Sequence, residues 1–207
     1  MELQQQRWNE YYRSRSGSPQ DTWLNKYKAI FDKYKNSIVL DLGCGNGSNL
    51  PFLTKTNSTI FALDYSEEAI AQVQKHYSVN AIVGDIRDPL PYGTEQFDFI
   101  ISDLSLHYFS EKDTFTILSE IRRVLKRNGI ILARLNSIKD KNHGAQQGKE
   151  IEKYYYEHNG IKKRFFTEDT IKYFFEKEFI VISIEEERSG KYLEEKHLLE
   201  VVMKRRV

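Results

Sequence analysis

The sequence is poor in cysteine, in long apolar runs and in net charge, and each scarcity excludes a class of protein. Its 207 residues include one cysteine, Cys44, so no intrachain disulfide and no cysteine-built zinc site can form, and no metal is expected. No apolar run approaches the length that crosses a bilayer. The first residues, MELQQQRWNEYYRSRSG, are polar and lack an apolar signal segment. We therefore expect a soluble, cytoplasmic protein without a membrane partner.

The charges nearly cancel, because 31 Lys and Arg stand against 30 Asp and Glu. A protein built to coat nucleic acid would carry a basic excess, so no nucleic-acid partner is expected. The basic runs Lys162–Arg164 and Lys204–Arg206 are interpreted as solvated charge. Hydrophobic residues make up 40% of the chain, which is enough for a sizeable core. At this length a single domain over residues 1–207 is predicted.

Short apolar runs of strand length alternate with helix signals along the chain. Several runs are apolar on both faces, as is typical of strands covered on both sides of a parallel sheet. The alternation predicts a doubly wound α/β fold with a seven-stranded, mostly parallel sheet and helices on both faces. No helix separates the last two runs, which predicts a C-terminal antiparallel hairpin. The runs are Ile38–Leu42, Ile60–Leu63, Ala81–Val83, Phe97–Ile101, Ile130–Leu135, Phe179–Ile184 and Leu198–Met203.

Helix starts are indicated by a capping hydroxyl followed by acidic residues at Ser66, Ser110 and Thr167. Two further helices, over residues 2–14 and 20–35, are predicted on either side of a break at Gly17–Pro19. Together they would form an N-terminal helical cap over residues 1–35. Another helix is expected from about Ser48, directly after the first strand.

The strongest chemical signal is the loop that ends the first strand, Val39-Leu40-Asp41-Leu42-Gly43-Cys44-Gly45-Asn46-Gly47. Glycines at alternate positions allow a tight turn and let a ligand approach the backbone closely. Asp64 ends the second strand, where a carboxylate can accept both hydroxyls of a ribose. The pattern predicts a nucleotide-like ligand. A dinucleotide loop would carry a small apolar residue at Ser48, which counts against a nicotinamide dehydrogenase.

The stretch VLDLGCGNG resembles the first motif of the class I S-adenosylmethionine-dependent methyltransferases, in their small single-domain form. Residues 62–66, ALDYS, are similar to the second motif of that family, and residues 84–86, GDI, are similar to the third. Phe97–Ile101 resembles its fourth strand, and Leu125–Ile130 the approach to its fifth. The resemblance implies S-adenosylmethionine as the cofactor and S-adenosylhomocysteine as its product.

The resemblance also implies roles for individual residues. Asp64 would bind the ribose, and Asp41 would favour the ammonium group of the methionyl part. Asp85 would meet the adenine amine, with Ile86 along the ring. The whole predicted cofactor set is Asp41, Gly43, Cys44, Gly45, Asp64, Tyr65, Asp85, Ile86 and Asp103.

The sequence gives fewer signals for the residues that would bind the methyl acceptor. His107 follows the fourth strand, where it suits either a general base or a residue that orders the loop. The connection over residues 137–166 is longer than usual and is predicted to be a substrate-side excursion. The aromatic and basic residues of the N-terminal segment would either fold over the cofactor or pack as an amphipathic helix. The predicted substrate-binding residues are Tyr12, His107, His143 and Tyr155.

These features predict methyl transfer to a small-molecule acceptor by in-line displacement. The sulfonium methyl is already activated, so the enzyme has mainly to align donor and acceptor and to exclude water. Two alternatives stay open at this point: methylation of a protein or tRNA, and a non-catalytic module that binds S-adenosylmethionine or S-adenosylhomocysteine.

Overall fold

The computed structural model describes residues 2–15, 21–189 and 194–206, so the predicted break at Gly17–Pro19 lies outside the described residues. The helices are α1 (Glu2–Arg13), α2 (Lys28–Phe31), α3 (Leu50–Leu53), α4 (Glu67–His76), α5 (Glu111–Val124) and α6 (Glu168–Phe175). The strands are β1 (Ser37–Leu42), β2 (Ser58–Asp64), β3 (Asn80–Val83), β4 (Phe97–Asp103), β5 (Leu125–Asn136), β6 (Lys149–Glu152), β7 (Tyr155–His158), β8 (Ile161–Arg164), β9 (Phe179–Ser189) and β10 (Lys196–Arg205). Over these ranges no helix is long and apolar enough to cross a membrane.

The main sheet has seven strands in the order β3-β2-β1-β4-β5-β10-β9. The first five run parallel to one another, and β10 is antiparallel to both β5 and β9. The predicted α/β sheet and its C-terminal hairpin are thereby confirmed. Because β1 lies between β2 and β4, the strand order reverses at β1. A crevice at the carboxyl ends of β1 and β4 is the place where such sheets bind ligands.

Apolar side chains cover both faces of the sheet. Val39 and Leu40 are consecutive in β1 and both are fully buried, on opposite faces. Leu40 packs into a core with α5 and α6, whereas Val39 packs into a second core with α2, α3 and α4. This burial on both sides is the reason why the strands read as continuous apolar runs.

The three predicted helix starts are confirmed. In each, the hydroxyl of the capping residue accepts a hydrogen bond from the backbone N–H three residues later, and acidic side chains follow in the first turn. The pairs are Ser66 with Ala69, Ser110 with Asp113, and Thr167 with Thr170.

Two predicted helices are shorter than expected. Residues 20–35 were expected to form one helix, but they contain a 3-10 turn over Trp23–Tyr27 and the single turn of α2. Asp21 accepts the N–H of Trp23, which fixes the tight entry into that turn. The helix expected from Ser48 begins only at Leu50 and ends at Leu53. The Thr54 hydroxyl donates back to the Leu50 carbonyl at 2.7 Å, which closes the last turn.

The segment over residues 137–166 contains a second sheet in the order β6-β7-β8, which the sequence did not predict. All three strands have four residues, and most of their positions are charged or exposed. Strands of that kind lack the apolar alternation that makes a strand recognisable. The sheet has its own small core, formed by Ala145, Tyr156 and Phe165.

Candidate active site

The glycine loop turns sharply between β1 and the start of α3. Gly43, Gly45 and Gly47 have φ angles of +74°, +53° and +88°, in the left-handed region that side chains disfavour. A Cβ on Gly43 would lie 2.3 Å from the Cβ of Ser105, which follows β4. The N–H of Gly43 donates to the Leu63 carbonyl at 2.7 Å, so the loop is tied to the end of β2.

Asp64 joins the end of β2 to this loop. One carboxylate oxygen accepts the N–H of Gly45 at 2.8 Å, and the other accepts the N–H of Ser66 at 2.9 Å. Burial raises the pKa of Asp64, and these two N–H groups oppose the rise. The carboxylate is therefore held in one orientation at the carboxyl end of the sheet.

Asp41 stands at the end of β1 and is completely buried. Its Oδ1 accepts the side-chain amide of Asn49 at 3.0 Å, and Asn49 in turn accepts the indole N–H of Trp23 at 2.9 Å. The other oxygen of Asp41 has no hydrogen-bond partner among the described residues. Burial raises the pKa of Asp41 to about 7, with Asn49 opposing and the Asp103 and Asp64 charges adding to the rise. An unpartnered buried carboxylate oxygen of this kind suits a cationic ligand group.

Tyr65, Asp85 and Ile86 lie together on the β2–β3 side of the loop. Asp85 forms an ion pair with Arg87 at 2.5 Å, and the Arg87 guanidinium lies 6.0 Å from the centre of the Tyr65 ring. Ile86 is buried, and its Cδ1 would lie 3.5 Å from a Cβ on Gly43. The predicted adenine side is therefore brought next to the loop, with Arg87 as an added neighbour.

Two predicted cofactor residues, Cys44 and Asp103, are buried or already paired within the protein. Cys44 is buried, and burial raises the pKa of its thiol well above its usual value, the reverse of what a nucleophilic thiol needs. Asp103 is engaged by Arg134 through both oxygens, at 2.7 and 2.6 Å. Arg134 also contacts Asp21 at 2.5 Å, and both border a cavity of about 430 Å³.

Helix α1 contacts the glycine loop through the side chain of Tyr12. The Tyr12 hydroxyl lies 2.5 Å from the position of a Cβ on Gly45, and burial raises the pKa of Tyr12 well above its usual value. Gln5 donates to the Tyr65 carbonyl at 2.9 Å, and Gln72 of α4 donates to the Tyr12 carbonyl at 2.7 Å. Helix α1 therefore packs against the glycine loop through Tyr12, and its closure over a cofactor stays a prediction.

His107 is buried after β4, and its Nδ1 has no hydrogen-bond partner in the described part of the chain. Burial lowers the pKa of His107 well below its ordinary value, and the charges of Lys163 and Lys196 add to the shift. The His107 carbonyl accepts the N–H of Arg164 at 2.7 Å, which ties the small sheet to the end of β4.

The two other predicted substrate residues lie in the small-sheet region. Tyr155 donates its hydroxyl to the Tyr108 carbonyl at 3.0 Å, so it is close to the end of β4. His143 contacts Asp140 at 2.8 Å and lines a separate cavity with residues of β7 and β8. The structure therefore brings Tyr155 near His107, whereas His143 lies in the wall of that separate cavity.

Three partners of the site were missed from the sequence. Asn49, which supports Asp41, follows Gly47 by two positions, so its place in the loop was a usable signal. Arg87 and Arg134 pair with predicted carboxylates. Arg87 is close enough in sequence to Asp85 to have been considered, whereas no local pattern links Arg134 to Asp103.

Several known proteins are similar to this chain. The family model described as "Methyltransferase domain" matches residues 40–133. An uncharacterized methyltransferase of Synechocystis, sll0829, is 32% identical over 44% of this chain and 43% of its own length. A fatty-acid O-methyltransferase of Mycolicibacterium smegmatis is 30% identical over 45% of this chain and 35% of its own. The chain thus spans less than half the length of these relatives.

A solved S-adenosylmethionine-dependent methyltransferase of Methanosarcina mazei superposes with a TM-score of 0.70 over 85% of this chain and 96% of its own. At 16% identity this likeness concerns the fold alone. This likeness in fold agrees with the observed strand order. It also agrees with the family match, which covers the glycine loop, Asp64 and β4. Residues 40–133 therefore match the methyltransferase domain family, and the chain has the fold of a solved S-adenosylmethionine-dependent methyltransferase.

Proposed function

We propose that the protein transfers the methyl group of S-adenosylmethionine to a small-molecule acceptor and releases S-adenosylhomocysteine. The observation that carries the proposal is the left-handed glycine loop, which lies between the buried carboxylates Asp41 and Asp64. A loop of this kind lets a ligand lie against the backbone, and the carboxylates suit a ligand with a cationic group and vicinal hydroxyls.

The residues present fit S-adenosylmethionine. The unpartnered oxygen of Asp41 suits its ammonium group, and Asp64, anchored by two N–H groups, retains lone pairs for ribose hydroxyls. Asp85 and Ile86 supply an acceptor and an apolar surface for adenine. When bound, S-adenosylmethionine supplies an electrophilic methyl group on a positively charged sulfur.

The work left to the chain is to orient the acceptor and to exclude water. Helix α1 brings Tyr12 over the loop, and Arg7 of the same helix donates to the Gly160 carbonyl of the small sheet at 3.2 Å. This contact joins α1, which reaches the glycine loop, to the small sheet, which reaches the end of β4 through Arg164. Enclosure of this kind favours a small acceptor over a folded protein or an RNA.

His107 is best interpreted as a residue that shapes the acceptor side while it stays uncharged. Its ring is buried with a lowered pKa, and its backbone carbonyl holds the small sheet. An acceptor that is already ionised at neutral pH needs no proton removed. We therefore propose a reaction without an obligatory general base.

The test is release of S-adenosylhomocysteine in the presence of small carboxylates, thiols, amines and phenols, with RNA and protein fractions in parallel. Asp64→Ala serves as the matched inactive control. We expect turnover with at least one small molecule. Methylation of only the RNA or protein fraction would contradict the small-molecule assignment. Binding of S-adenosylhomocysteine without turnover of any fraction would instead indicate a non-catalytic module.

A further inference from the structure

A second cavity is lined by residues of the small sheet and of the turn before it, and no residue of the glycine loop lines it. Its volume is about 90 Å³, well above the about 10–15 Å³ that one water molecule needs. Its wall is formed by the 3-10 turn over Lys141–His143 and by β7 and β8. Its lining includes the side chains of His143, Tyr156, Lys163 and Phe165. We refer to this cavity as the Lys163 pocket.

The floor of the Lys163 pocket is apolar. Lys163 and Phe165 are two positions apart, so they share one face of the small sheet. Tyr156 stands directly opposite Lys163 in the antiparallel pairing of β7 with β8. Tyr156 and Phe165 are buried against each other with ring centres 6.1 Å apart. The ammonium group of Lys163 therefore lies beside an aromatic surface that suits the hydrocarbon part of a ligand.

Lys163 is the uncompensated charge of this pocket. It is partly buried, and its ammonium forms no hydrogen bond or salt bridge with the residues that the structure describes. Asp140 is the acid whose charge reaches it, but Asp140 is already engaged by Lys196 at 2.8 Å and by His143 at 2.8 Å. Burial, together with the charges of Lys196 and Arg7, lowers the pKa of Lys163.

The charges around the pocket therefore favour an anion. Lys163, Lys196 and Arg7 are cationic, and Asp140 is the acid that opposes them. Because Asp140 compensates Lys196, and Arg7 is exposed, one half-buried positive charge is left over. A single negative charge matches it, and the aromatic floor suits a ligand with a carbon skeleton. Inorganic phosphate has no apolar part to use that floor.

We propose that the Lys163 pocket binds the carboxylate of an organic acid, with Lys163 as its counter-ion and Tyr156 and Phe165 beneath its carbon skeleton. Arg164, the next residue of β8, holds the His107 carbonyl at 2.7 Å, so the pocket belongs to the element that contacts the end of β4.

The experiment is a calorimetric titration of the full chain with hexanoate, hexanamide and inorganic phosphate. Lys163→Met removes the charge and keeps the length of the side chain. Lys162→Met is the matched control, because Lys162 is exposed on the opposite face of the same strand. We expect saturable binding of hexanoate, weakened about tenfold or more by Lys163→Met and unchanged by Lys162→Met, with hexanamide much weaker.

Equal binding of hexanoate and hexanamide, unchanged hexanoate affinity in Lys163→Met, or no saturable binding by the parent would each overturn the proposal. Phosphate that binds as tightly as hexanoate would also overturn it in favour of a general anion site. If Lys163→Met does not fold, protection of Lys163 in the parent from acetylation, read by peptide mass spectrometry with and without hexanoate, decides the question. Titration with S-adenosylhomocysteine in parallel tests the proposed function separately, since the glycine loop contributes nothing to this pocket.

Discussion

The hydroxyl of Tyr12 lies 2.5 Å from the point that a Cβ on Gly45 would occupy. Helix α1 and the glycine loop thus meet on the side of Gly45 where any other residue would carry its Cβ. The contact is held by hydrogen bonds from Gln5 and Gln72 at either side. Any ligand that approaches the loop at Gly45 shares space with Tyr12, so the position of α1 and the occupancy of the loop are linked.

Substitution of Gly45 by alanine is expected to destabilise the protein for two separable reasons. The φ of +53° is costly for a residue with a Cβ, by about 1–2 kcal/mol, and the new methyl group would collide with the Tyr12 hydroxyl. In a Tyr12→Phe background the shortest contact is removed, ring carbons at 3.1 and 3.3 Å remain, and the backbone cost is unchanged. Urea denaturation of the four proteins in this cycle measures both parts. An equal cost of Gly45→Ala in both backgrounds would show that the hydroxyl contact does not matter.

Asp64 should matter more for cofactor affinity than Asp85. Asp64→Ala removes an acceptor of charge-assisted hydrogen bonds, each of which contributes about 1.5–3 kcal/mol, so affinity for S-adenosylhomocysteine should fall about tenfold to a hundredfold. Asp85→Asn retains an acceptor oxygen and should weaken binding less. Calorimetry gives both values, and thermal melting checks that each variant is folded. A larger loss for Asp85→Asn would reverse the two assigned roles.

Asp41 is expected to make the unliganded protein less stable as the pH rises. Its pKa is about 7 in the folded chain and 3.8 when exposed, so the folded state binds more protons between these values. The free energy of unfolding must then fall from about pH 4 to about pH 7. Asp41→Asn keeps the oxygen that Asn49 binds and removes this dependence.

Denaturation at pH 4 and pH 8 compares the two proteins. Glu200, whose pKa burial also raises and whose charge is not among those that act on Asp41, contributes equally to both and cancels in the difference. Relative to the parent, Asp41→Asn should gain at least about 1.4 kcal/mol between the two pH values, which corresponds to one pKa unit. An identical pH dependence in the two proteins would mean that Asp41 is not protonated near neutrality.

The fold was largely predictable because strands that are buried on both faces appear in the sequence as continuous apolar runs. Val39 and Leu40 are both apolar because each faces a core, and the capping hydroxyl of Ser66 marks its own helix. The small sheet was not predictable, because its strands are short and are held by pairing with one another rather than by an apolar pattern. The partner of Asp103 was hidden for a related reason, since only the parallel pairing of β4 with β5 sets Arg134 opposite it.

His107 should remain uncharged throughout the neutral range. Burial and the nearby Lys163 and Lys196 lower its pKa, so the folded state binds fewer protons than the unfolded state below about pH 6.5. His107 therefore costs stability as the solution becomes more acidic, and His107→Gln should lose less stability between pH 7 and pH 5 than the parent. The imidazole resonance followed by NMR measures the pKa directly. A midpoint at or above 6.5 would restore His107 as a candidate general base.

Helix α1 should be the part of the site whose protection from hydrogen exchange responds most to ligand. None of the described side chains of α1 belongs to the buried clusters. The helix is attached by one edge-to-face contact of Trp8 with Tyr108 and by polar contacts such as Arg13 with Glu68 at the surface. Segments of this kind open at low free energy, so amides in residues 3–14 should exchange quickly without ligand. The small sheet has its own ladder and its Tyr156–Phe165 core, so it should already be protected.

With S-adenosylhomocysteine bound, exchange in residues 3–14 should slow, because closure over a bound ligand adds contacts to α1 that the free protein lacks. The change in residues 149–164 should be smaller. Tyr12→Ala removes the side chain that reaches Gly45 and should reduce the effect on α1 while leaving β1 protected, which makes it the matched control. Mass spectrometry of the exchanged peptides measures all three segments at once. If α1 exchanged equally fast with and without S-adenosylhomocysteine, while calorimetry showed the ligand bound, the helix would be a fixed wall of the site and Tyr12 would have no part in closing it.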